Sequence, residues 1–177
     1  MKNKGFSLIE LIIVIALLGL SVGVTSDILL SVTSSYNKTQ VMNEIEQQAN
    51  FVSLRLTKEL REATSIVEPS SVNVPGNTLT FLAGSTEVSY YLDTSDSGLY
   101  RKTVDLVGNS AVSLLTVTTG VEGVILECPG TNKDECFNLV EDNPAIVTYS
   151  FTFRKPTGSR IDATYLLEDT FVIRGTY

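Results

Sequence analysis

Apolar residues run almost unbroken from Phe6 to Val24, and a single carboxylate, Glu10, interrupts them one turn in. A helix of about 20 residues spans a hydrocarbon core of about 30 Å. Polarity rises at Thr25, Ser26 and Asp27, but the helical pattern continues through Ile28, Leu29, Leu30 and Val32. Val41, Ile45, Ala49, Val52, Leu56, Leu60 and Ala63 then recur at steps of three and four, which makes one apolar stripe on a helix. The remaining faces carry Glu44, Glu46, Gln47, Arg55, Lys58, Glu59, Arg61 and Glu62. No Pro or Gly falls between Thr25 and Ser65. The pattern predicts one helix from Phe6 to Thr64, about 90 Å long, with Pro69 closing the helical region.

Beyond Pro69 the period shortens. Thr78 to Ala83 reads as a strand. Val88 to Leu92 and Leu99 to Val104 read as a hairpin around the turn Asp93-Thr94-Ser95-Asp96-Ser97-Gly98. Ser113 to Thr118 and Val121 to Glu127 suggest a second pair joined through Thr119-Gly120. Ala145 to Phe153 alternates cleanly, with Val147, Tyr149, Phe151 and Phe153 on one side. Lys155-Pro156-Thr157-Gly158-Ser159 reads as a turn, and Thr164 to Ile173 as the last strand. The expected fold is α+β, a long N-terminal helix whose outer half lies on an antiparallel sheet. A coiled coil uses the same stripe, but this one is short of three to four heptads and strands follow at once.

Composition narrows the chemistry. Residues are 43% apolar, too many for a disordered chain. The formal charge is −7; loss of Met1 to Gly5 leaves 11 basic against 20 acidic side chains, −9. Such a body repels nucleic acid. There is no His, which removes the commonest proton shuttle and metal ligand. No nucleophile-with-base pattern or phosphate-cradling loop appears, so the expectation is a non-enzyme without cofactor or metal. Asp134-Glu135 and Glu141-Asp142 lack calcium-loop spacing and read as solvated loop charges. Cys128 and Cys136 lie in a polar excursion; outside the cytoplasm they read as a disulfide, inside it as free thiols.

Three readings compete for residues 1–26. A cleaved secretory signal is disfavoured by Glu10 inside its apolar core. An uncleaved anchor leaves Glu10 without a partner in lipid, at a cost of roughly 2.5–3.5 kcal/mol on insertion scales. The third reading accounts for all of it. Lys4-Gly5-Phe6-Ser7-Leu8-Ile9-Glu10 followed by the apolar run resembles the class III prepilin signal of the type IV pilin-like family.

That resemblance implies a leader, 1–5, cut after Gly5 by prepilin peptidase, which also methylates Phe6. It implies that Glu10 pairs with the amino terminus of a neighbouring subunit during assembly. The implied organisation is a transmembrane and filament-core helix at 6–30, an amphipathic helix on the head at 31–66, and a β-rich head at 67–177. Lys2 and Lys4 keep the leader cytoplasmic, so the chain is expected as a single-pass protein of the bacterial inner membrane with its head outside the cytoplasm, later moving into a filament. Expected partners are the lipid bilayer, the peptidase, an inner-membrane assembly platform and other pilin or pseudopilin subunits, with no nucleic acid.

Leu54 to Ala63, together with Val88-Ser89-Tyr90-Tyr91-Leu92, a polar turn and Leu99-Tyr100-Arg101, is similar to the minor pilin and pseudopilin J (W-type) branch. The presence of Glu10 speaks against the tip pseudopilin K, and the absence of Pro around Asp27 against many major pilins. The resemblance implies a subunit that helps initiate or assemble a type IV pilus or type II secretion pseudopilus; a tip adhesin or ligand-binding head on the same filament class is the alternative.

Overall fold

The computed structural model describes residues 7–93, 95, 97–116, 124–129, 135–157 and 161–173. The chain divides into two compact units, Met1–Gln40 and Val41–Tyr177. One helix, α1 (Leu8–Arg61), contributes to both. It ends three residues before the expected Thr64. In the first unit every helical residue is exposed, and the helix is long and apolar enough to cross a membrane. Four of its hydroxyls are satisfied within the helix: Ser21, Thr25, Ser26 and Thr33 each donate to the carbonyl four residues back at 2.7–2.9 Å. Bonded in this way, a Ser or Thr presents little unsatisfied polarity to lipid.

The second unit holds the last turns of α1 and two antiparallel sheets, where the sequence pattern had suggested one. Directly after the helix comes β1 (Ala63–Glu68), so Ala63 and Thr64, expected to be helical, open a strand. The β-branched residues Thr64, Ile66 and Val67 suit a strand better than a last helical turn. It pairs with β2 (Thr78–Ala83), followed in order by β3 (Thr86–Asp93), β4 (Gly98–Val104) and β5 (Ser110–Leu114). The expected β3–β4 hairpin is present. Asp93 Oδ1 accepts the Ser95 N–H at 2.9 Å within its turn, and Ser97 takes a positive φ of 57°.

The second sheet is built on β8 (Ala145–Thr157). One edge of β8 pairs along its whole length with β9 (Ile161–Ile173). Its other edge carries β7 (Phe137–Asp142) opposite residues 145–149 and β6 (Ile125–Glu127) opposite 152–154. Two expectations are corrected here. The described parts of segments 113–118 and 121–127 do not pair with each other: β5 pairs with β4, and β6 with β8; residues 117–123 lie outside the described residues. Residues 155–157 of the turn expected over 155–159 belong to β8, and β9 starts at Ile161; Gly158 and Ser159 lie outside the described residues.

The core lies between the helix and the sheets. Ile45, Ala49, Val52, Leu56 and Leu60 are fully buried, as the stripe requires. Leu79, Phe81, Tyr90 and Leu99 join them from the first sheet, and Leu126, Phe137, Val147, Tyr149, Phe151 and Phe153 from the second. Phe151 sets its edge against Phe137 (ring centroids 5.3 Å, 85°) and Phe153 (6.5 Å, 75°), the arrangement that ring quadrupoles favour. The two sheets are also joined by backbone. Gly76 and Phe137 exchange hydrogen bonds of 2.8 and 2.9 Å, and Leu126 donates to the Ser97 carbonyl at 3.2 Å.

Candidate functional site

Gly5 and Phe6 lie outside the described residues, as does the leader 1–5. The description begins at Ser7, which caps α1. Its Oγ accepts the Ile9 N–H at 3.3 Å, and its carbonyl accepts the Glu10 and Leu11 N–H groups at 3.1 and 3.3 Å. Glu10 reaches back so that its Oε2 accepts the Ser7 N–H at 3.0 Å. This is a reciprocal cap, in which a Ser and a Glu three residues on satisfy otherwise unpaired donors of the first turn. A negative charge there also complements the positive end of the helix dipole. The spacing Ser7-x-x-Glu10 before an apolar run was the available signal for it, and the resemblance alone does not reveal it. Glu10 is exposed on the helix, so its carboxylate is both locally engaged and open to a further donor.

Residues 1–26 match the family model described as the prokaryotic N-terminal methylation motif. The chain carries a type IV pilin-like signal. This motif implies processing by prepilin peptidase and assembly with other pilin subunits in filaments. The long apolar helix fits a membrane-anchored subunit of such a filament. Comparison with curated proteins and with solved structures found no match.

Within the second unit of this pilin-like chain, the structure assembles a polar cluster that the helical pattern had placed on solvent-facing sides. Glu59, on α1, is 7% exposed. Its Oε2 accepts the Tyr90 hydroxyl at 2.8 Å and the Arg101 Nε–H at 2.9 Å. Its Oε1 lies 2.6 Å from Arg55 Nε one turn back, an ion pair in which the N–H is not aligned for a hydrogen bond. Tyr90 and Arg101 are register partners on β3 and β4, so one helix carboxylate ties down two adjacent strands. Burial pushes the Glu59 carboxyl upward, but the hydrogen bonds from Arg101 and Tyr90 and the charges of Arg101 and Arg55 outweigh it, leaving the group below its ordinary value. Burial and the Glu59 charge push the Tyr90 hydroxyl well above its ordinary value. Burial opposes the charge on Arg101, yet Glu59 holds its guanidinium above the ordinary value.

The missed signal was positional. Glu59 stands seven residues after Val52 and three after Leu56, on the margin of the buried stripe. On the second sheet, Tyr149 OH lies 3.4 Å from Ser53 Oγ and donates to Asp169 Oδ2 at 3.4 Å. Lys155 Nζ meets Glu44 Oε2 at 2.6 Å. Helix and both sheets are thus joined by polar contacts as well as packing.

Cys128 and Cys136 are joined by a disulfide with Cα atoms 4.7 Å apart. Cys128 follows β6 and Cys136 precedes β7, so the bond links the two short strands that share one edge of β8. Cys136 also accepts the Ser150 N–H at 2.9 Å from the middle of β8. Of the acids expected in loops, Asp134 lies outside the described residues, Glu135 is exposed, and Glu141 and Asp142 are exposed but belong to the end of strand β7. The outward face of the first sheet holds a shallow hollow of about 420 Å³ lined in part by Thr80, Glu87, Ser89, Tyr91 and Lys102. Tyr91 stacks beside it on Tyr100, with ring centroids 5.5 Å apart.

Proposed function

We propose that the chain is a minor pilin or J-type pseudopilin that helps to initiate or assemble a type IV pilus or a type II secretion pseudopilus. Prepilin peptidase cuts after Gly5 and methylates the new amino terminus at Phe6. Helix 6–30 holds the mature chain in the inner membrane, and an assembly platform there moves it into the filament. The observation that carries this reading is the methylation motif at residues 1–26 on a helix whose first 33 described positions, 8–40, are all exposed. A helix with that much uncovered apolar surface requires lipid or other helices around it. The arrangement of Lys2 and Lys4 before the span sets the head outside the cytoplasm, and the Cys128–Cys136 bond suits an oxidising compartment.

Glu10 selects the register of assembly. Apolar helices slide past one another with little energetic preference, whereas a carboxylate in lipid gains strongly from one particular donor. The Phe6 amine of a neighbouring subunit supplies that donor, and the Ser7 N–H holds the carboxylate at the start of the helix. Mass spectrometry of the amino terminus tests the processing: the first five residues absent and one methyl added. Glu10→Val tests the assembly: the protein stays in the membrane fraction and its incorporation into sheared filaments falls at least about tenfold, as expected when an ion pair in a low-dielectric setting is lost. Undiminished incorporation would remove Glu10 from this role. An intact Met1, or cleavage beyond Ser21 with release from the membrane, would remove the whole reading.

A further inference from the structure

Each edge strand of the two sheets presents unpaired backbone groups, and such edges are ordinarily blunted. Three of the four are. β1 has two register irregularities, ends in Glu68 and is followed by Pro69. β9 carries Glu168 and Asp169. The edge formed by β6 and β7 is covered, because Leu126 donates to Ser97, Phe137 exchanges bonds with Gly76, and Leu139 accepts the Asn73 N–H at 2.7 Å.

Among the described residues β5 has none of these devices. It ends the first sheet, pairs with β4 in continuous register without a bulge, and holds no Pro. All five of its residues are exposed. No charge occurs from Leu106 to Thr116, in a chain with net charge −7. The loop leading into β5 is firmly built: Asp105 accepts the Val107 and Asn109 N–H groups at 2.9 and 2.8 Å, and Gly108 takes the positive φ of 86° that closes the turn. That loop presents Leu106 and Val107 at 83% and 84% exposure beside the open edge.

We infer that β5 is an interface for strand addition, and that its occupant is an extended, uncharged segment from the head of another pilin-like subunit. Backbone hydrogen bonds along Ser110–Leu114 supply the affinity, and Val112 and Leu114 give the new strand apolar neighbours. An uncharged occupant follows from the uncharged edge strand, since a charge added against Val112 and Leu114 would lose hydration beside apolar side chains, with Lys102 and Arg101 of β4 lying one strand further in. A different subunit fits better than a second copy, because two chains of −7 repel each other on approach. The inference rests on the filament-subunit reading above.

The test uses the full chain in cells, with a photo-crosslinking amino acid at Ser113 or, separately, at Leu20 in the exposed half of α1. The expected result is a Ser113 adduct to another subunit bearing the same N-terminal motif. Val112→Lys should reduce that adduct by about tenfold with the Leu20 adducts unchanged, and the head should melt only slightly lower, because Lys102 stands opposite Val112 on β4. If Leu20 crosslinks to filament subunits while Ser113 gives no adduct, an adduct to a second copy or to an unrelated protein, or one that survives Val112→Lys, the strand-addition inference is overturned and the filament reading stands. If Leu20 gives no adduct and Gly5 is uncut, both fall.

Discussion

The two halves of α1 have the same backbone and opposite surroundings. Between Leu8 and Gln40 every residue is exposed, and apolar side chains lie on all sides. From Val41 to Arg61 one apolar stripe is buried, completely so at Ile45, Ala49, Val52, Leu56 and Leu60, while the other faces are mostly charged or polar, with Phe51 and Leu54 exposed among them. Helix propensity does not distinguish them; what differs is the number of sides that must meet something apolar. The outer half finds its cover in the same chain. The inner half does not, which on the function proposed above leaves it for lipid and neighbouring subunits. One continuous helix can therefore be a core element at one end and an assembly surface at the other.

That contrast can be broken most sharply at the stripe. Leu56→Ala removes a fully buried side chain and should destabilise the head by about 2–5 kcal/mol. Leu18→Ala, the same change in the exposed half, should leave head unfolding untouched. Denaturant melts of both variants in detergent, followed by tyrosine fluorescence, make the comparison; equal effects would erase the distinction between the halves.

Polar contacts should separate the halves almost as well. Glu59→Ala leaves Tyr90 and the largely buried Arg101 without their acceptor and should cost about 2–3 kcal/mol. The disulfide comes next. Closing eight residues contributes about 2.5 kcal/mol in the chain-entropy model, so Cys128→Ser with Cys136→Ser should lower the melting temperature of the head without altering membrane retention.

A smaller effect concerns acid. The folded-state value of Glu59 is depressed below 4.5, so its stabilisation is fully present above that pH and is lost as pH falls through the depressed value. The head should hold constant stability above about pH 5 and weaken below 4.5, and Glu59→Gln should flatten that dependence in melts at stepped pH. Smallest of all is the half-exposed pair of Glu44 with Lys155: Glu44→Ala should change stability by less than about 1 kcal/mol in the same melts.

The helix, its buried stripe and the alternation of β8 were legible because each depends on a short-range period. The amino-terminal signal was legible because it is a local string of residues. Strand pairing was less so. The run from Ser113 to Glu127 looked like a hairpin, yet its two ends joined different sheets, since proximity in sequence does not fix which edge a strand fills. The strand β1 was hidden because the apolar spacing of the helix ran on through Leu60 and Ala63 into it.

By itself, then, the sequence determined that this chain has a membrane-length apolar helix with one acid near its start, a helical stripe to bury, and a β-rich remainder. Those properties follow from side-chain chemistry repeated at fixed spacing. Only the tertiary structure decided that Glu59 is a buried acceptor for Tyr90 and Arg101, and that among the described residues there are two sheets and β5 is the edge left open. These depend on which distant segments meet. Glu59 could be assigned only when two strands about 30 and 40 residues away arrived with their donors, because a carboxylate is stable out of water only when its lone pairs are satisfied.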